Sequence, residues 1–316
     1  LVVDADFTQV SRLEKISLIA DASGNLHQLT LGSAAAAAGV ESIDATAVGN
    51  DDVIVVDAHA FANALSVDTV AADDVITLGV GGSVVNAGDG DNTVTVGAAN
   101  DVSHHDEITT GIGADVIKTS DARLTNELVV NAGAGSDTLE VTDDAAVLDA
   151  ALTQIASVEV LKLSGNALDN AQSVTLAAHA AATGITAVNA TAIGADDALT
   201  LDASGFANAL TIATAAGDDL ITLGSGGSVV NAGRGANTIF VGADNDGVHD
   251  DHITTGVDAD VVNLSDAQLS ANFTFSAGGG IDELHITSDA SLVDADLAGL
   301  ASVEILTLTV DAGDDA

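Results

Sequence analysis

Aliphatic residues recur at intervals of nine in this chain, and this spacing constrains the fold more than any other feature. The interval separates Ile76, Val85 and Val94, and it returns between residues 221 and 239. A few strand residues that place one aliphatic side chain inside, followed by a reversal, form half of a coil. Two units of nine therefore make one turn, and we expect the strands of Ile76 and Val94 to stack on one side.

The segments between these aliphatic residues follow the pattern Gly-x-Gly-x-(Asp, Asn or Ser)-x-aliphatic. The pattern stands at residues 88–94, 111–117 and 133–139. Glycine permits the positive φ angles and the close stacking that such loops need. Because loop carbonyls and the Asp carboxylate point the same way, stacked turns would form oxygen cages suited to Ca²⁺.

A longer period encloses the short one. Residues Thr46–Asp144 match Thr191–Asp289 without a gap, at a constant offset of 145, and more than half of the aligned positions are identical. This predicts three parts: residues 1–45 end a preceding repeat, residues 46–190 form one repeat, and residues 191–316 form a second that is cut before its end. We expect the chain to be an excerpt of a longer array.

The segments outside the nine-residue units predict wider coils. Their strand-like pieces lie roughly 10–13 residues apart. Two Ala-rich segments predict single helical turns. The Ala34–Ala38 run predicts an apolar connector that a neighbouring turn covers. The fold class predicted is all-β, a parallel β-solenoid of irregular cross-section with little helix. The strand-like pieces are 158–163, 185–188, 199–201 and 210–212, and the Ala-rich segments are 149–155 and 176–183.

Charge and composition narrow the classes of function. The chain has 48 acidic and 6 basic residues, a net charge of −42, and no cysteine. Bound cations would relieve the repulsion among the acids. A nucleic-acid partner is excluded because no basic stripe could meet phosphates. The absence of cysteine excludes disulfides and thiolate metal sites, and no apolar run in the sequence is long enough to predict a membrane span.

The Gly-x-Gly-x-Asp-x-aliphatic units resemble the nonapeptide repeats of RTX proteins. The Val-Glu-x-Leu-x-Leu stretch at 158–163 and the sequence Gly-Asp-Asp-Leu-Ile-Thr-Leu-Gly at 217–224 are similar to RTX-type surface-layer proteins of Gram-negative bacteria. The resemblance implies a right-handed parallel β-roll with several Ca²⁺ ions between its turns. It also implies secretion to the cell exterior by a type I system.

Carried over by position, the resemblance implies metal ligands from the loop acids, amides and glycines. Asp52 and Asp197, with Asp51 and Asp196 before them, fit less completely because their preceding glycines are missing. Sites with Asn in place of Asp, and the Ser83 and Ser228 loops, should be weaker or empty. The implied ligand residues are Asp52, Asp73, Asp74, Gly88, Asp89, Gly90, Asp91, Asn92, Gly111, Gly113, Asp115, Gly133, Gly135, Asp137, Asp197, Asp218, Asp219, Gly233, Gly235, Asn237, Gly256, Asp258, Asp260, Gly278, Gly280 and Asp282.

Two other groups of residues carry alternatives. The His104-His105-Asp106-Glu107 cluster, with its counterpart at 249–252, could bind a transition metal, but a solvated acidic loop, or a further calcium loop around Asp106 and Asp251, is favoured. Lys15 and Lys162 predict local ion pairs with Glu14 and Glu159.

The acidic pairs, such as 51–52, 73–74 and 218–219, could in principle perform glycoside hydrolysis. They recur throughout the chain, whereas an active site is usually made once, so we expect no enzymatic activity and no catalytic residue. The hypothesis is an extracellular structural protein of a bacterial surface layer or filament that self-associates, with calcium bridges and a cell-surface polysaccharide as further candidate partners. The alternatives are the stalk of a large RTX adhesin and a β-helical enzyme acting on polysaccharide.

Overall fold

The structure is a computed structural model that describes residues 1–19, 24–97, 104–143, 146–165, 171–194, 197–242, 249–288 and 291–309. The predicted repeat bounds Asp144 and Asp289 and the loop residue Asp196 lie outside these ranges. The chain divides into two compact units: unit 1 comprises residues 1–141 and 150–160, and unit 2 comprises residues 142–149 and 161–316.

Twenty-eight short strands account for most of the regular structure among the described residues. The first fourteen are β1 Lys15–Ile19, β2 Leu26–Thr30, β3 Ser42–Ala47, β4 Val53–Asp57, β5 Leu65–Asp68, β6 Val75–Thr77, β7 Ser83–Asn86, β8 Thr93–Thr95, β9 Glu107–Thr109, β10 Val116–Thr119, β11 Val129–Asn131, β12 Thr138–Val141, β13 Ala146–Val147 and β14 Ile155–Ala156. The others are β15 Val160–Leu163, β16 Gln172–Thr175, β17 Ala187–Ala190, β18 Leu199–Asp202, β19 Leu210–Thr214, β20 Leu220–Thr222, β21 Ser228–Asn231, β22 Thr238–Phe240, β23 His252–Thr254, β24 Val261–Leu264, β25 Thr274–Ser276, β26 Glu283–Ile286, β27 Leu300–Ala301 and β28 Ile305–Leu308.

Successive strands alternate between two parallel sheets. In unit 1 the strand orders are β1-β3-β5-β7-β9-β11-β14 and β2-β4-β6-β8-β10-β12. In unit 2 they are β17-β19-β21-β23-β25-β27 and β13-β16-β18-β20-β22-β24-β26-β28. Each turn therefore gives one strand to each sheet. Both units are built as a right-handed parallel β-solenoid, which confirms the predicted fold class.

The strand register confirms that two nine-residue units make one turn. Ile76 pairs with Val94, and Val67 pairs with Val85 in the other sheet. The turns are wider elsewhere, as the pairing of Leu26 with Val53 shows. The structure thus repeats by turns of varying length, and the long period of the sequence and the repeat boundaries drawn from it stay predictions.

The core is a narrow double row of aliphatic side chains. Ile76, Val94 and Ile117 point inward from one sheet of unit 1, Val85 and Ile108 from the other, and all five are at most 1% exposed. Their neighbours along each strand alternate between the interior and solvent, as in the pattern of β7. Each turn is too short to bury its aliphatic residues alone, so the stacked neighbours complete the core.

Helix is minor, as predicted, and the Ala34–Ala38 run connects β2 to β3 in helical form. It lies in α1 Ser33–Ala38, and Ala178–Thr183 forms the similar α2. The amide groups of Gly32 and Ala35 both donate to Asp4 Oδ1 at 2.8 Å, because the first N–H groups of a helix lack intrahelical acceptors. The 3-10 helices are Asp4–Phe7, Asp121–Arg123, Asp149–Leu152, Asp266–Gln268 and Asp294–Leu297. None of the described helices is long and apolar enough to cross a membrane.

The loop glycines are required by stacking as well as by backbone conformation. Gly88 has φ +70°, and a Cβ atom there would lie 1.5 Å from the carbonyl oxygen of Val70 in the preceding turn. A Cβ at Gly135 would lie 1.6 Å from the Gly113 oxygen. The glycine pattern of the sequence therefore records where one turn lies against the next.

Replacing Gly88 with alanine is expected to lower the free energy of unfolding by roughly 2–4 kcal/mol, from the positive φ and the overlap with Val70. Gly279→Ala is the matched control in a corresponding loop of unit 2, since a Cβ at Gly279 meets nothing within 4 Å. Thermal melts of both variants at saturating calcium measure the difference. Equal melting temperatures for the two variants would contradict this stacking of the loops.

Candidate functional site

A row of acidic and amide side chains lies at the entry to the strands of one sheet in unit 1. We call it the unit 1 ladder: Asp52, Asp74, Asn92, Asp115, Asp137 and Glu159. The Asn92 oxygen accepts the N–H of Asp74 at 3.0 Å. Asp115 accepts from Asn92, and Asp137 accepts from Asp115, both at 2.8 Å. Each side chain therefore binds the backbone of the preceding turn, because the parallel register places equivalent loop positions one above another.

Unit 2 contains the same arrangement, the unit 2 ladder: Asp197, Asp219, Asn237, Asp260, Asp282 and Glu304. The Asn237 oxygen accepts the N–H of Asp219 at 3.1 Å. Asp260 accepts from Asn237 at 2.9 Å, and Asp282 accepts from Asp260 at 2.8 Å. Because the two ladders agree at every one of these contacts, the pattern follows from the sequence and not from one local loop.

Six ladder aspartates, three in each unit, keep their second oxygen buried without a hydrogen-bond donor from the described residues. The side chains are at most 2% exposed, and the neighbouring turn uses only Oδ1. A buried carboxylate oxygen that has left water without a donor or a cation is strongly destabilising. These oxygens are Oδ2 of Asp74, Asp115, Asp137, Asp219, Asp260 and Asp282.

The pKa values of ladder carboxyl groups reflect the same lack of hydrogen-bond donors. Burial raises the pKa of Asp74 to about 6, even though the N–H of Ile54 and the Thr69 hydroxyl act in the opposite direction. Burial likewise raises the pKa of Asp137 and of Asp219 to about 6. Thr69 gives Asp74 little relief, because its hydroxyl donates to the Ala87 carbonyl at 2.7 Å. Near neutral pH, these carboxyl groups need either a proton or a bound cation.

The first aspartate of the unit 1 ladder differs from the rest. Both oxygens of Asp52 accept backbone N–H groups, from Asn25 at 2.6 Å and Gly49 at 2.8 Å, and these bonds lower its pKa. Asp197 similarly accepts the N–H of Gly194 at 2.9 Å. Their loops lack the Gly-x-Gly pattern, so these two predicted ligands close their own turn. A metal role for them stays a prediction.

Sequence reasoning missed the two glutamates that end the ladders. Glu159 Oε2 accepts the N–H of Asp137 at 2.8 Å, and Glu304 Oε2 accepts that of Asp282 at 3.0 Å. The sequence holds the signal, since both glutamates stand two residues before a strand aliphatic, Leu161 or Leu306, as the ladder aspartates do. The predicted pairing of Lys15 with Glu14 is wrong, because the partner of Lys15 also comes from another turn. Its Nζ lies 2.6 Å from Asp44 Oδ2, across the sheet.

The other predicted acids form an exposed outer row instead of joining the buried one. Asp73 accepts the N–H of Asp91 at 2.8 Å, and Asp91 accepts that of Ala114 at 2.7 Å. In unit 2, Asp218 accepts from Ala236 at 2.7 Å, and Asp258 accepts from Gly235 at 3.1 Å. Asp89 accepts from Ile112 at 3.0 Å. The outer row ties neighbouring loops together and leaves carboxylate oxygens in solvent.

Arg234 introduces the one reversal of charge in this outer row. It occupies the loop position held by Asp89 in unit 1, and it lines a shallow groove of about 450 Å³ with Asp218 and Asp258. In unit 2, the positive charge of Arg234 therefore offsets part of the negative charge of the loop carboxylates.

The His-containing loops place their acids inside the solenoid, not in solvent. Asp106 and Asp251 are buried, and Asp251 accepts the N–H of Ser228 at 2.6 Å. Burial raises the pKa of Asp106 to about 6, against the N–H groups of Gly97 and Ser83 and the charge of Arg123. The interpretation as a solvated acidic loop is thus wrong for these two acids. They hold the position before a strand that the ladder residues hold in the other sheet.

No three His, Asp or Glu side chains among the described residues converge on a point that could hold a metal ion. A transition-metal site at His104 and His105 therefore gains no geometric support. A calcium site in the ladders would instead use one carboxylate oxygen per turn together with loop carbonyls, which suits a hard cation that takes six to eight oxygens.

His104 and His105 line a groove of about 550 Å³ in unit 1, and Glu41 is the only carboxyl group among its lining residues.

Comparison with protein-family models, with curated proteins and with solved structures found no match.

Proposed function

We propose that this chain is an extracellular, calcium-stabilised structural protein of the RTX type that contributes to a bacterial surface layer or filament. The observation that carries the proposal is the row of buried carboxylate oxygens without donors in both units. At the neutral pH of most surroundings Asp74, Asp137 and Asp219 would be mostly charged, because their pKa values are about 6. Calcium is a common extracellular cation that binds oxygen alone.

The ladders would make calcium binding a part of folding. Each ion would sit between the loops of adjacent turns, held by the free oxygen of an aspartate such as Asp115 or Asp137 and by neighbouring loop carbonyls. Without ions the carboxylates oppose stacking, and the chain would stay open enough for secretion through a type I channel. Calcium outside the cell would then supply the energy that closes the solenoid.

A structural role agrees with the repetition of the candidate site. The same side-chain arrangement occurs at several turns of each unit, whereas glycoside hydrolysis needs a particular pair of carboxyl groups across a cleft. The groove beside His104 offers one such group, Glu41, among its lining residues. We therefore propose that the chain is not an enzyme. An adhesin stalk would use the same calcium-stiffened solenoid and differs in what it carries.

The last described turn of unit 2 differs in burial from its counterpart at residues 159–163. Leu306 and Leu308 are 41% and 48% exposed, whereas Leu161 and Leu163, in the corresponding Glu-x-Leu-x-Leu sequence, are fully buried. Asp149 accepts the N–H of Ala177 at 2.7 Å, at the start of α2. Asp294, in the equivalent 3-10 helix, is exposed and accepts no hydrogen bond from the described residues. These residues hold positions that the following turn covers elsewhere in the solenoid.

Sedimentation velocity tests the structural proposal. In millimolar calcium the chain is expected to form concentration-dependent oligomers, and these should dissociate in EGTA because calcium would no longer bridge the acidic faces of neighbouring copies. A calcium-loaded wild-type chain that stays monomeric at high concentration would count against a lattice or filament role.

A further inference from the structure

The two asparagines of the ladders have hydrogen bonds that the aspartates cannot make. Asn92 Nδ2 donates to the carbonyl oxygens of Gly90 at 2.9 Å and Gly88 at 3.2 Å, both in its own loop. Its Oδ1 meanwhile accepts the N–H of Asp74. This side chain therefore satisfies the turn before it and its own loop at once, without any external group.

Asn237 has the same role in unit 2. Its Nδ2 donates to the Gly235 carbonyl at 2.9 Å and to Asp260 Oδ1, also at 2.9 Å. The second of these bonds places a donor on a neighbouring ladder carboxylate. The amide thus supplies positive partial charge at a point where its neighbours present only oxygen atoms.

In the aspartate loops the atom that replaces Nδ2 is an oxygen. Asp115 follows Gly111 and Gly113 at the spacing by which Asn92 follows Gly88 and Gly90, and its Oδ1 makes the equivalent bond to the preceding turn. Its Oδ2 is buried without a donor. In an Asp loop, Oδ2 and the loop carbonyls are all oxygen atoms, and they repel one another. In an Asn loop, the NH₂ group takes the place of Oδ2 and donates a hydrogen bond.

We propose that Asn92 and Asn237 occupy, with their own NH₂ groups, the position that calcium takes at the aspartate rungs, so that these two rungs hold no ion. The inference rests on the proposed calcium function and assigns which turns depend on it. Each ladder then contains one ion-independent rung between aspartate rungs: Asn92 between Asp74 and Asp115, and Asn237 between Asp219 and Asp260. In the middle of each ladder, these rungs stay satisfied when calcium is removed.

Reciprocal substitutions test this assignment. Asn92→Asp should bind one more calcium ion per chain than the wild type and should melt roughly 2–4 °C lower in EGTA at pH 7.5. Asp115→Asn should bind one ion fewer and melt higher in EGTA by a similar amount, because its new amide can donate to the loop carbonyls. Ion number is measured by equilibrium dialysis against calcium with elemental analysis, and stability by thermal melts.

Asn131→Asp is the control for added charge, because Asn131 is exposed beside a loop of the same unit and lies outside the ladder; it should change neither quantity. If the wild type binds calcium and Asn92→Asp gains no ion while Asp115→Asn loses none, the inference is overturned and the proposed function stands. If the wild type binds no calcium, both fail together. Should Asn92→Asp not fold in EGTA, the Asp115→Asn measurements decide the question alone.

Discussion

Removal of calcium at pH 7.5 is expected to lower the melting temperature of this chain enough to abolish most of its β-sheet signal in far-ultraviolet circular dichroism at physiological temperature. Each ladder carries three aspartates with a buried oxygen that lacks a donor, Asp74, Asp115 and Asp137 in unit 1 and Asp219, Asp260 and Asp282 in unit 2. A ligand at 100 times its dissociation constant stabilises a fold by about 2.7 kcal/mol per site. Three such sites in each unit amount to about 8 kcal/mol, which is a large share of the roughly 5–15 kcal/mol that typically separates a folded domain from its unfolded state.

The signal should return when calcium is added in excess of the chelator. Magnesium at the same concentration should restore little, because Mg²⁺ demands near-ideal octahedral geometry and releases its water reluctantly. Recovery with magnesium equal to that with calcium would indicate that only general screening of the net charge of −42 is required. A spectrum unchanged by EGTA would contradict the proposed role of calcium.

In the presence of chelator, acid is expected to stabilise the fold. A carboxyl group whose pKa is about 6 in the folded state, as at Asp74, Asp137 and Asp219, and about 3.9 when unfolded binds its proton more tightly in the folded state. Its contribution is present in full below pH 4 and is lost as the pH rises through 6. Each group would contribute roughly 1–3 kcal/mol over this window.

The melting temperature in EGTA should therefore rise as the pH falls from 7 to about 4.5. Below that, the trend should reverse, because carboxylates with lowered pKa, such as Asp52 and Asp149, lose their stabilisation on protonation. In calcium the slope between pH 7 and 5 should have the opposite sign, since protons compete with the ion. Replacing Asp74, Asp137 and Asp219 together with asparagine should flatten the EGTA profile, and a profile that stays steep would locate the titrating groups elsewhere.

The sequence predicts the fold well because each turn of the solenoid corresponds to a short repeat in the sequence. Inward positions such as Ile76 and Val94 recur once in every two nine-residue units, and parallel stacking turns that interval directly into a register. The wider coils were harder to place: the Ala34–Ala38 run became a helix because Asp4, which is distant in the sequence, accepts the N–H groups at its start. Such a contact depends on which turns lie side by side and leaves no local signal.

The candidate site was predictable in composition but not in arrangement. Pattern alone groups Asp73 with Asp74, yet the strand pleat places Asp74 inside and Asp73 in solvent. Pattern also predicts that the Asn92 site is weaker or empty, and the bonds of its amide are the reason why we propose an empty one. Glu159 was not grouped with the aspartates because its longer side chain hides its equivalence to them, and its ion pair with Lys162 stays a prediction. In each case the partner comes from an adjacent turn.

The most direct test of the central claim is a count of calcium ions bound per chain at pH 7.5, by equilibrium dialysis, for the wild type and for a variant carrying Asp137→Asn and Asp282→Asn. The wild type should bind several ions. The variant should bind fewer and should melt at a higher temperature than the wild type in EGTA, because each substitution replaces a buried oxygen that lacks a donor with an NH₂ group that can donate to the loop carbonyls. A wild-type chain that binds no calcium, or a variant that binds as many ions as the wild type, would contradict the assignment of these carboxylates.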